Sequence, residues 1–292
     1  MKNALFIINP ISGNIENKDE LVDEIIQDIF GYQVSIWKTT GKDDEQKVRA
    51  LLEETCPDLL MIGGGDGTIK MVVSQISNLE CPILPVPFGS ANGLAKCLGI
   101  NDWEDSLSAL GKGQVIKMDM LDINGELCLH LCDFGFNAGL IKKFEEGDER
   151  GMIAYFKNSL SQMFETRPNR YHLQVDGMSM DILSKMLVVA NGQMYGTGAK
   201  INPGGNIDDG VFEIISLNPE GIQDWLSLTL GFITEDFSDL DFVKTWKGKN
   251  AQIENIDGAA FHIDGEMREE SRFISVRLKE NKLNMFNNIQ PA

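Results

Sequence analysis

The run Leu59-Leu60-Met61-Ile62-Gly63-Gly64-Gly65-Asp66-Gly67-Thr68 constrains this chain more than any other segment. An apolar stretch of strand length ends in three glycines. Ile69, Val72, Val73 and Ile76 then recur at helical spacing. Glycines let the main chain approach a ligand closely or take a positive φ. The unpaired N–H groups of a helix starting just beyond them form an anion site. Phosphate suits such a site. Asp66 does not suit a bare phosphate loop, because its carboxylate repels the anion unless a metal or a transferable proton takes part.

Around this run, strand candidates at residues 5–8, 34–38, 59–62 and 83–86 alternate with helical patterns at 18–30, 43–54 and 69–77. A further helix begins near Ala91. Apolar strands interleaved with amphipathic helices predict a parallel sheet covered on both faces. Right-handed crossovers make it an α/β, doubly wound, Rossmann-like domain. The rhythm changes near residue 115. Asn124-Gly125 separates strand candidates 115–123 and 126–134, and Asp176-Gly177 separates 171–175 and 179–189, both as hairpin turns. Candidates at 211–217, 252–256, 260–263, 273–278 and 282–286 complete an antiparallel, β-sandwich-like domain. Helical insertions are expected at 152–164 and 221–232. The boundaries read as 1–118 and 119–292. Within the first insertion Met152, Tyr155, Phe156, Leu160, Met163 and Phe164 form an apolar set, read as a core helix in preference to a tunnel lining.

The net charge of −18 over 292 residues excludes non-specific nucleic-acid binding and a polybasic lipid anchor. Contact with a membrane surface would have to be apolar, local or transient. Five scattered cysteines suit a reducing cytosol. The apolar run at residues 4–8 is too short for a secretory leader, and no stretch nears the ~20 apolar residues of a spanning helix. A cytoplasmic protein, peripheral to a membrane at most, is expected. Cys128, His130 and Cys132 would share one face of a strand. With no second ligand pair, a buried face is the better reading than zinc.

Two further loops accompany the Gly-rich one. Asn9-Pro10-Ile11-Ser12-Gly13 follows the first strand, and Pro87-Phe88-Gly89-Ser90-Ala91-Asn92-Gly93 follows the fourth. In a parallel sheet all three gather on the rim where doubly wound folds bind ligands. No Gly-x-x-x-x-Gly-Lys-Ser/Thr run is present, and the Gly-x-Gly-x-x-Gly pattern breaks at its last position. The Gly-x-Ser-x-Gly elbow of the α/β-hydrolases is also missing.

Gly64-Gly65-Asp66-Gly67-Thr68 resembles the GGDGT signature of the diacylglycerol kinase catalytic family, which includes sphingosine, ceramide and bacterial lipid kinases. Asn9-Pro10-x-Ser12-Gly13 is similar to its NPxSG opening, and Pro87-x-Gly89-Ser90-x-Asn92 to its P-x-G-[ST]-x-N segment. The run Asn92-Gly93-Leu94-Ala95 is nearest the sphingosine-kinase form. Asn191-Gly192 with Pro203 and Asp208-Asp209-Gly210 resembles the NG…P…DG block, and Asp264-Gly265-Glu266 resembles the late DGE element.

The resemblance implies two domains with an interdomain active site, a nucleotide-binding first domain, a lipid-accepting second domain, and ATP- and Mg²⁺-dependent phosphorylation of a lipid hydroxyl. It implies that Asn9, Ser12, Gly13, Thr40 and Ser90 contact the nucleotide and that Gly64, Gly65, Asp66, Gly67 and Thr68 hold its phosphates. Asp209, with main-chain carbonyls near Asn206 and Val211, would hold Mg²⁺. Phosphoryl transfer needs positioned phosphates, neutralised charge and a destination for the acceptor's proton. In an extended segment Asp264, Glu266 and His262 would share one side, so either carboxylate suits proton acceptance. Glu266 is favoured as base with Asp66 in support, the reverse staying open. The alternatives are an NAD kinase, which shares a GGDGT loop, and a non-catalytic nucleotide- or lipid-binding regulator. A homodimer is compatible with the sequence, and the acceptor lipid is not identified by it.

Overall fold

The structure is a computed structural model that describes residues 2–76, 80–135, 167–194 and 200–289. The expected helix at 152–164 and its apolar set lie outside the described residues. The chain divides into one unit of Met1–Met118 with Asn281–Ala292, and a second of Asp119–Glu280.

In the first unit β1 (Lys2–Ile8), α1 (Lys18–Gln27), β2 (Tyr32–Lys38), α2 (Asp44–Thr55), β3 (Leu59–Gly64) and α3 (Asp66–Val73) alternate. They are followed by β4 (Ile83–Pro87), α4 (Gly93–Cys97), α5 (Trp103–Lys112) and β5 (Gln114–Met118). The sheet order is β2-β1-β3-β4, then the C-terminal strand Leu283–Asn287, then β5. Strands β1 to β4 pair in parallel. Every residue of β3 and β4 is buried, as expected of central strands covered on both faces. Ile8, Gly63 and Val86 stand level across β1, β3 and β4. The loops that follow these strands therefore leave the sheet side by side.

The second unit contains β6 (Leu121–Ile123), β7 (Glu126–Cys128), β8 (Leu131–Phe134), β9 (Asn169–Val175), β10 (Met178–Ser184) and β11 (Met186–Ala190). After β12 (Phe212–Leu217) and α6 (Ile222–Thr234) come β13 (Val243–Gly248), β14 (Asn250–Asn255), β15 (Phe261–Ile263), β16 (Glu266–Arg268) and β17 (Phe273–Leu278). Two six-stranded sheets result, ordered β10-β9-β14-β17-β6-β7 and β13-β12-β11-β8-β15-β16. Leu173, Ile253 and Ile274 of the first share one core with Phe134, Val189 and Ile214 of the second. Alternate residues of β11 and β12, including Met186, Val188 and Ile215, point to the other face and pack against Trp225 and Leu228 of α6. The expected sandwich is present.

Four strand expectations need correction. The candidate at 115–123 is two strands, because β5 ends in the first unit and β6 begins the second. The candidate at 126–134 bends at Leu129-His130 and crosses from one sheet to the other, so Cys128, His130 and Cys132 do not line one strand. The candidate at 179–189 breaks at Lys185 for the same reason. The final strand belongs to the first unit, not to a second domain running to 292. It lies parallel to β4 and antiparallel to β5, a long-range pairing that local patterning does not encode. Helix α5 and strand β13 were not anticipated.

The first unit thus depends on its last strand. Met285 is fully buried there, paired with Ile83 and Ile116. Met285→Ala is expected to lower stability by about 3 kcal/mol in urea denaturation of the full chain. A loss below about 1 kcal/mol would show that the strand adds little to the core.

Candidate active site

Three loops of the first unit converge through main-chain contacts. After β1, the Asn9 N–H donates to the Gly63 carbonyl at 2.8 Å, and the Asn9 side-chain amide donates to Thr68 Oγ1 at 3.1 Å. After β4, the Phe88 N–H donates to the Gly64 carbonyl at 3.1 Å. Glycine is required where these loops meet. A Cβ on Gly89 would lie 2.6 Å from the Gly65 Cα, and one on Gly13, at φ +63°, would lie 1.9 Å from the Phe88 carbonyl oxygen. Gly64 leaves room for the Thr68 side chain, which a Cβ would meet at 2.5 Å. Of Gly13, Gly64, Gly65, Gly67 and Gly89, only Gly67 faces open space.

Asp66 opens α3 and does not cap it, since Gly65 is the N-cap. Its carboxylate instead accepts the N–H of Gly93 at 2.8 Å and of Leu94 at 2.9 Å, the first residues of α4. One aspartate therefore ties the loop after β3 to the helix after β4. Thr68 and Ile69 bond back to the Gly65 carbonyl, so the N–H groups of Asp66 and Gly67 begin the helix without an acceptor one turn earlier. These donors and the open side of Gly67 are the features of the rim that suit an anion.

Ser12 Oγ would lie 3.9 Å from a Cβ on Gly65, which brings Ser12 to the same place. Lys18 shapes its loop by donating to the carbonyls of Pro10, at 2.9 Å, and Ser12, while lying over the Phe88 ring. Burial pushes the Lys18 ammonium below its usual value, against the Asp19 charge that raises it. Ser90 is exposed. Thr40 follows β2, and its N–H and hydroxyl are bonded to the Asp44 carboxylate. Against the burial that would raise it, the Thr40 and Gly41 donors hold the Asp44 carboxyl below the usual range. Thr40 thus anchors the start of α2 and is not drawn into the Asn9–Ser12–Gly65–Gly89 convergence.

The acidic turns of the second unit are held by carboxylates that accept main-chain N–H groups. Asp264 and Gly265, at φ +51° and +82°, form the two-residue turn between β15 and β16. The expected extended arrangement of His262, Asp264 and Glu266 is therefore corrected. The Asp264 carboxylate accepts the N–H groups of Leu129, at 3.2 Å, and His130, at 2.9 Å. These donors belong to the bend at which the chain changes sheets, where no strand partner is available to them. Glu266 projects from edge strand β16, its side chain 58% exposed, and receives Arg268 Nη2 at 2.7 Å. Arg268 also pairs with Glu126, whose hydrogen bonds raise the guanidinium's affinity for its proton. His262 is buried with Nδ1 3.4 Å from Asp133 Oδ2.

Asp209 is exposed; one of its oxygens accepts the Val211 N–H at 3.1 Å. Asn206 is likewise exposed. Buried Asp119 positions this turn by accepting the Gly210 N–H at 2.7 Å, and its own N–H donates to the Ile207 carbonyl. Asn191 completes the frame. Its side-chain amide donates to the carbonyls of Asp119 and Leu129, both at 2.8 Å. One buried amide thus links the segment that holds the Asp209 turn to the segment held by Asp264. Asp119 was missed in the sequence, although an aspartate between Met118 and Met120 was a visible break in an apolar run. Among the described residues no group of three or more His, Cys, Asp or Glu forms a metal cluster. A Mg²⁺ ion needs only one or two carboxylates beside water and phosphate oxygens, and an exposed Asp209 oxygen fits that donor set.

Comparison with known proteins follows these divisions. Residues 3–123 match the diacylglycerol kinase catalytic domain, and residues 134–283 match the YegS C-terminal NAD kinase beta sandwich-like domain. A Bacillus subtilis (strain 168) diacylglycerol kinase is 27% identical over 91% of this chain and 90% of its own. A Citrobacter koseri protein named "Probable lipid kinase YegS-like" is 24% identical over 81% of this chain and 80% of its own. A crystal structure of a diacylglycerol kinase from Bacillus anthracis superposes with a TM-score of 0.73 over 98% of this chain and 97% of that one. At 19% identity it shows a shared fold.

The loop contacts make a structural prediction. Gly89→Ala forces backbone apart at Gly65 and is expected to lower stability by about 2 kcal/mol, read by urea denaturation. Gly67→Ala, on the open side, is expected to change it by less than about 1 kcal/mol in the same measurement. Equal losses for the two would remove the argument for a Gly65–Gly89 contact.

Proposed function

Because the chain belongs to the diacylglycerol kinase and YegS-like family of lipid kinases, we propose that it transfers the terminal phosphoryl group of ATP to a hydroxyl of a diacylglycerol- or sphingoid-like lipid. The observation that carries this reading is the meeting of three loops on one rim of the first sheet, with Gly65 and Gly89 in backbone contact and the α3 N-terminus beside them. In this reading Gly64, Gly65, Gly67 and Thr68 line the path of the phosphates. Main-chain N–H groups of the loop hold the anion without adding a side chain that would block the acceptor. Asn9, Ser12 and Ser90 contact the nucleotide from the neighbouring loops, and Thr40 from the end of β2.

The lipid hydroxyl oxygen attacks the terminal phosphorus, the bond to the bridging oxygen breaks, and ADP leaves with its electron pair. The hydroxyl proton passes to a carboxylate. Glu266 is the better acceptor, because Asp264 is engaged by the N–H groups of the Leu129–His130 bend, while Glu266 is exposed and Arg268 bonds one of its oxygens. Asp66 supports the reaction by keeping the loops after β3 and β4 together. Asp209, with carbonyls near Asn206 and Val211, would hold Mg²⁺, which supplies charge neutralisation of the phosphates. Among the described residues no helix is long and apolar enough to cross a membrane.

Purified protein with labelled ATP and Mg²⁺ is expected to label a lipid from a panel of diacylglycerols, sphingoid bases and NAD. Label on NAD alone would sink the lipid reading, and ATP binding without transfer would favour a regulator. Glu266→Gln is expected to lower kcat by about 100-fold or more while ATP affinity stays unchanged. Asp66→Asn removes one of the two acceptor oxygens for Gly93 and Leu94 and is expected to lower kcat by about 10-fold or more with the secondary structure retained, and near-normal activity would refute its role.

A further inference from the structure

Helix α6 is apolar on two opposite sides. Trp225 and Leu228 are buried against the second sheet of the sandwich. Ile222, Leu226 and Leu230 are 69%, 61% and 60% exposed. Spaced four residues apart, these three form a single row on the helix surface, about 12 Å long. A row of large aliphatic side chains facing water has a hydration cost that nothing on the helix offsets. The charges on the helix and at its ends are acidic, apart from Lys200, which pairs with Glu235 at 2.6 Å. Asp224 lies in its first turn, Glu220 precedes it, Glu235 and Asp236 follow it, and the helix contains no Lys or Arg.

We propose that this stripe seats the protein on a zwitterionic lipid surface. The inference rests on the lipid-kinase reading for its biological sense, because an acceptor carried in a bilayer requires the enzyme to meet that bilayer. The choice of occupant comes from charge. A second copy of the chain would set the same carboxylates against each other, on molecules that each carry −18. An anionic leaflet would repel them as well. A phosphatidylcholine surface has no net charge, presents choline cations toward the flanking carboxylates, and accepts the aliphatic row between its chains.

The test uses flotation of the full chain with phosphatidylcholine vesicles, and with vesicles containing added phosphatidylglycerol. The protein is expected to float with the first, insensitively to salt, and less with the second. The Leu226→Gln/Leu230→Gln double variant is expected to lower the partition coefficient at least about ten-fold. Its turnover of a soluble short-chain acceptor should be unchanged. Ile222→Gln serves as a second variant should the double variant unfold. Unchanged partition in a folded variant would overturn the proposal, as would tighter binding to the anionic vesicles. So would a lipid-free dimer, seen by ultracentrifugation, that the double variant converts to monomer. Because flotation needs no ATP, a protein that phosphorylates no lipid but floats as described would refute the kinase reading and leave the docking surface standing.

Discussion

The first two N–H groups of α4 both point to the Asp66 carboxylate, and this pair of bonds joins the loops on which the candidate site is built. A charged acceptor on two main-chain donors is stronger than a neutral one. It also supplies partners for donors that a helix start leaves without any. Gly65 and Gly89 then approach with no side chain between them, and Asn9 reaches Thr68 from the third loop. The rim is therefore a packed object made of backbone. Its glycines are needed for contact between the loops, with Gly67 left facing the open side.

The same device recurs in the second unit. Asp264 accepts the main-chain donors of the bend between β7 and β8, and Asp119 accepts the Gly210 N–H beside Asp209. In each case an aspartate holds a segment that regular sheet pairing cannot hold. Asn191 bridges the two arrangements with its side-chain amide. This separates the acidic residues by task. Buried Asp119 and half-buried Asp264 set the backbone, and exposed Asp209 and Glu266 have oxygens left for a cation or a proton.

Much of the fold was legible. Continuous apolar runs at β1, β3 and β4 marked strands covered on both faces, and Asn124-Gly125 and Asp176-Gly177 marked hairpins that the structure contains. The candidate site was legible as a set of loops, because a parallel sheet places the ends of its strands together. Illegible were the places where a strand pattern continues while the chain changes partner. Residues 126–134 and 179–189 carry apolar residues on both sides of a bend, because both sheets bury one face in the same core. The extended reading of Asp264 to Glu266 failed for a related reason. A two-residue turn with both residues at positive φ leaves the same composition as a strand end.

The sequence by itself determined the α/β then β-rich order, the three small loops and the residue types that phosphate handling requires, because these depend on local spacing and on the chemistry of single side chains. Only the tertiary structure decided which unit owns the last strand, that Asp66 bonds α4, and that Asp264 is committed to the Leu129–His130 bend. Each of these joins residues distant along the chain through main-chain groups, which pair with one another in the last strand and with a side-chain carboxylate at Asp66 and Asp264. Every residue but proline carries the main-chain N–H and C=O alike, so which of them pair cannot be read from side-chain identity.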